Sequence, residues 1–185
     1  MNAFNQRSLA LSCAAAALLC LPTAQAMNMT TAEHQAAKSR IAVDFKADKA
    51  ACQSRSGNTK DVCVQEAKAK EKVSYADLES RYTGKPADQT HLLEVKAQTA
   101  YAVAKEKCDD QAGNAKDVCR QEAKAVETKA LASAKLGEKI GDAKTEAVTD
   151  TRDADYKVAI EKCDALAGDA KSNCVSAARL KYGKS

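Results

Sequence analysis

Tryptophan is absent from this 185-residue chain, proline and histidine occur twice each, and phenylalanine twice. Two histidines, His34 and His91, exclude a histidine-rich metal centre, and neither has a cysteine or histidine at ligand spacing. No Cys-x-x-Cys occurs, which argues against a thioredoxin-like redox site. No Gly-x-Ser-x-Gly and no glycine-rich phosphate loop occurs either. The formal charge of +4 comes from 29 basic and 25 acidic side chains. That is a mixed, solvated surface and not the one-signed field of a nucleic-acid binder. No cofactor is expected, and no metal. The many carboxylates alternate with lysines at helical spacing, as an ion-paired surface does.

Apolar runs of membrane length are also missing. The longest, Leu9 to Leu21, is too short to span a bilayer as a helix. It follows a lone positive charge, Arg7, and precedes Pro22 and the small-x-small triplet Ala24-Gln25-Ala26. This three-part layout is that of a cleavable export signal covering residues 1–26. An uncleaved anchor is the rival reading, and the short run disfavours it. The expected location is the periplasm or the exterior, with no transmembrane segment after cleavage.

The chain does contain cysteine. Of its eight cysteines, Cys13 and Cys20 fall in the signal, and six remain. They form three pairs, Cys52/Cys63, Cys108/Cys119 and Cys163/Cys174, with ten residues between the members of each. An even number in an exported chain predicts disulfides. Six cysteines allow fifteen pairings, and loop closure favours the three local ones.

The sequence around them repeats. Cys108 to Lys124 reads Cys-Asp-x-x-x-Gly-Asn-Ala-Lys-Asp-Val-Cys-x-x-Glu-Ala-Lys, and the stretches from Gly57 and Gly168 echo it. Gly57, Gly113 and Gly168 suit the left-handed position that ends a helix. Asn58, Asn114 and Asp169 follow as expected N-caps of the next helix. Each unit therefore reads as helix, tight turn and helix, with the two cysteines about 7.5 Å from the turn on opposite arms. An aromatic side chain precedes each first cysteine by about two turns. These three residues, Phe45, Tyr101 and Tyr156, are expected to anchor the hairpin cores, since no base or cofactor motif accompanies them to suggest catalysis.

The expected fold is all-α, with three disulfide-stapled helical hairpins in tandem behind the signal. The units are residues 27–84, 85–138 and 139–185, six helical arms in all, stacked as a bundle or strung out as a jointed rod. Gly84-Lys85-Pro86 marks the first join, because Pro86 disfavours a continuous helix. Gly137 and Gly141 weaken the second. Much of the apolar content is alanine, the best helix former but a poor source of buried area, so the core should be thin and the disulfides needed.

The repeated string resembles repeats in uncharacterised small exported proteins of proteobacteria, some of which are labelled TolA-like cell-envelope proteins. The resemblance spans the three units and implies an exported helical protein without a particular activity. Together these readings lead us to expect a non-enzymatic periplasmic or cell-envelope protein. It would act by binding an unknown protein partner, by self-association or as a structural spacer. The alternative is an envelope stress or chaperone-like protein that binds clients.

Overall fold

A computed structural model describes residues 29–184. The export signal expected at residues 1–26 lies outside them. The described chain forms five α-helices: α1 (Thr31–Ala51), α2 (Gly57–Thr83), α3 (Pro86–Lys107), α4 (Gly113–Asp164) and α5 (Gly168–Tyr182). The fold class is all-α, as the sequence implied. Helix α1 starts at a capping box, in which the Thr30 hydroxyl accepts from the Glu33 amide and the Glu33 carboxylate accepts from the Thr30 amide. The Thr30 amide first, and the Thr30 hydroxyl second, donate to the Glu33 carboxylate and hold it below its usual 4.5. Helix α2 ends on left-handed Gly84, and Pro86 opens α3 at a position where its missing N–H costs nothing.

Extensive contacts run between helices adjacent in the chain: α1 with α2, α2 with α3, α3 with α4, and α4 with α5. The short turns make each pair antiparallel. The first three helices and the start of α4 thus form an open layer rather than a closed bundle. Alanine permits the close approach, with Ala67, Ala76 and Ala97 buried between helices. The side chains sealed most completely are Cys52, Cys108 and Cys163, each 1% exposed.

Two of the six expected arms are one helix. Helix α4 has 52 residues and passes through Gly137 and Gly141 without a break, so the unit boundary at 138/139 falls inside it. Each interior glycine costs a helix only about 1 kcal/mol relative to alanine. The flanking residues, such as Ala132, Leu136, Glu138 and Lys139, are strong helix formers. At about 1.5 Å per residue α4 is roughly 78 Å long. Its first part packs on α3 and its last part on α5. Residues 135–148 between them are exposed on every face.

Candidate interaction surface

The three disulfides pair Cys52 with Cys63, Cys108 with Cys119 and Cys163 with Cys174, at Cα separations of 5.6, 5.7 and 5.6 Å. Each first cysteine starts a tight turn in which its carbonyl accepts from the amide three residues on: Arg55, Gln111 and Leu166, at 3.1, 3.0 and 3.0 Å. Extended backbone follows, at Arg55 and Ser56, at Gln111 and Ala112, and at Ala167, and then a glycine with φ of 54°, 54° or 55°. At Gly57, Gly113 and Gly168 this left-handed backbone lets the chain reverse within five residues, so both cysteines reach each other from facing arms.

The structure corrects the expected caps. The N-cap positions belong to Ser56, Ala112 and Ala167, whose side chains make no capping bond, while Asn58, Asn114 and Asp169 are second residues of their helices. The Asn58 amide instead donates to the carbonyl of Glu106 at 3.1 Å, in the last turn of α3. Lys107 pairs with Glu66 across the same junction at 2.8 Å. The first stapled turn is therefore fastened to the end of α3, where the second begins. The third lies at the far end of α4, about 75 Å along the helix axis.

Phe45, Tyr101 and Tyr156 stand on the arms beside their staples and are half-buried rather than sealed. The reason is the open packing: among the described residues each helix packs extensively only on its chain neighbours, and no second layer covers these rings. Tyr101 carries the Lys124 ammonium 5.0 Å above its ring, and Tyr156 meets Tyr182 edge-on at 6.2 Å.

An apolar groove of about 600 Å³ runs between α3 and α4. Alanines from both helices floor it, and Leu93, Tyr101 and Val126 form its walls. Beside it the buried carboxylate of Glu127 binds Lys124 at 2.6 Å. That hydrogen bond raises the Lys124 ammonium above its usual 10.5. At the second turn Asp109 accepts from Arg120 at 2.6 Å and lies 3.1 Å from Lys116. The Lys116 and Arg120 bonds, in that order, hold the Asp109 carboxyl below 3.8. At the C-terminal end Lys184 does the same to Asp153 at 2.6 Å.

His34 lies in the first turn of α1. In the fold its ring is 6% exposed and stacks on Tyr82 at 4.1 Å, with Nε2 3.2 Å from Glu79. This cluster locks the start of α1 to the end of α2. His34 stands 45 positions or more from both partners, and no local pattern announces the contact. His91 is exposed. Among the described residues, no three His, Cys, Asp or Glu side chains are grouped to hold a metal, and no helix is long and apolar enough to cross a membrane. In comparisons with protein-family models, curated proteins and solved structures, none matches this chain.

Proposed function

We propose that this is a non-enzymatic protein of the periplasm or cell envelope that acts by protein binding and as a structural spacer. The observation that carries the reading is α4. A 52-residue helix joins two disulfide-stapled ends, and its middle, residues 135–148, touches neither. A bare helix of this length is an expensive way to join two halves of a compact fold. It is a direct way to hold two contact surfaces at a fixed distance. Three disulfides suit a chain that matures in an oxidising compartment. The apolar opening segment and the resemblance of the cysteine repeat to exported proteins support the envelope as that compartment.

The test is crosslinking of a tagged copy inside its own cell, followed by denaturing purification and mass spectrometry. One or two dominant envelope partners, or the protein itself, would support the reading. A reproducible catalytic activity abolished by one point substitution would overturn it.

One observation favours a second reading, a chaperone-like binder of unfolded clients. The α3/α4 groove is apolar and open, and exposed apolar side chains such as Val126 (65%) and Leu93 (50%) border it. This reading expects suppression of client aggregation at stoichiometric ratio. A lack of suppression removes it.

A further inference from the structure

The exposed part of α4 is not uniformly polar. A helix turns about 100° per residue, so Leu136, Ile140, Ala143 and Ala147 fall within roughly 60° of one another. Their spacing of four, three and four residues is that of a coiled-coil seam. All four are exposed, Leu136 by 59% and Ile140 by 47%. Val118 and Val158, 47% and 52% exposed, lie on the same side. The residues α4 buries within the chain, Glu127, Ala134 and Cys163, face the other way, about 160° around the helix. Both packed ends thus sit behind α4, and the apolar seam is open along its length.

We propose that this seam pairs with the same seam of a second copy, antiparallel, about a two-fold axis between Gly141 and Asp142. The inference rests on the binding role above and names its partner. Two features select it. First, the seam is self-complementary in size. Antiparallel pairing sets Leu136 against Ala147 of the second copy and Ile140 against Ala143 of the second copy. Large residues meet small ones, which lets helices approach closely. Second, the charges flanking the seam fit one orientation. Lys139 and Glu146, both exposed, occupy equivalent flanking positions. Antiparallel pairing puts Lys139 beside Glu146 of the second copy, and symmetry makes that contact twice. Parallel in-register pairing would instead set Lys139 against Lys144 of the second copy. A closed two-fold pair of this kind is the commonest form of self-association.

Sedimentation equilibrium of the oxidised protein tests this. A concentration-dependent dimer is expected. Leu136→Lys with Ile140→Lys should return it to monomer with its helical circular dichroism intact, because both sites are exposed. Lys139→Glu alone and Glu146→Lys alone should each weaken the dimer about tenfold, since each turns two attractions into repulsions. The double exchange should restore it. A monomer at every concentration would overturn the pairing, as would a dimer indifferent to the two lysines. Tightening by Lys139→Glu would overturn the antiparallel orientation, because that is the result for a parallel pair. None of these outcomes bears on capture of a different partner in the cell, so failure of the pairing is distinguishable from failure of the binding role.

Discussion

Helix α5 is the element whose place depends most on its staple. It is 15 residues long and packs extensively on α4 alone. Its apolar contribution is small: Ala178 is buried, Tyr182 half-buried and Leu180 85% exposed. The Cys163–Cys174 bond closes a separation of 11 residues. The chain-entropy relation then gives about 2.8 kcal/mol, which is roughly a hundredfold in the equilibrium between docked and undocked arms. Cys163→Ala with Cys174→Ala should release α5 by at least that factor. The assay is hydrogen exchange read by mass spectrometry on peptides from residues 168–182. Their protection should fall about a hundredfold, while peptides of α1, α2 and α3 keep theirs. The same substitution at Cys108 and Cys119 should have a smaller local effect, because α3 also packs along α2. Unchanged protection in α5 would refute the reasoning, and so would an equal loss in α1, which would mean that the far end of α4 is coupled to the layer.

Gly57→Ala or Gly113→Ala should cost about 1–2 kcal/mol in thermal unfolding. A Cβ there meets nothing within 4 Å, so the whole cost is the left-handed backbone. Gly137→Ala and Gly141→Ala should instead stabilise, by about 1 kcal/mol each, as slower amide exchange in residues 135–148. Asp109 and Asp153 are held below 3.8 in the fold. Their contribution is therefore complete above that value and lost as pH falls through the lower folded value. Asp109→Asn should reduce the acid-side fall of the melting temperature. Tyr82→Ala should remove the stack on His34, costing about 1 kcal/mol beyond the lost burial, and loosen exchange at the start of α1.

What the sequence disclosed and what it hid divide along chain distance. The staples, their turns and the break at Pro86 are encoded within a dozen residues. The turn glycines have positive φ because no neighbouring side chain could take that backbone as cheaply. The second join is no break, because glycine is a mild penalty inside a helix, not a stop, and no proline occurs between Lys116 and Asp164 as Pro86 does at the first join. The cap expected of Asn58 went to another helix because α3's last carbonyls lie nearby only after folding. The His34, Glu79 and Tyr82 cluster joins helix ends that only the first hairpin brings together. The seam of α4, by contrast, is written locally, but its meaning needs the knowledge of which face α3 and α5 already cover.

Alanine and cystine explain why such a seam can stay open. Alanine-rich arms pack closely but bury little apolar area, and they leave larger residues free to face outward. In this chain the most completely sealed side chains are cysteines. The covalent staples fix the hairpin ends, so the core need not recruit Val118, Leu136, Ile140 or Val158. A conventional helical bundle would fold those residues inward and shorten. Here α4 keeps its full length, and its apolar side chains remain available to another chain. Local staples and an exposed seam are thus consistent with one design, in which stability is supplied at the ends and contact in the middle.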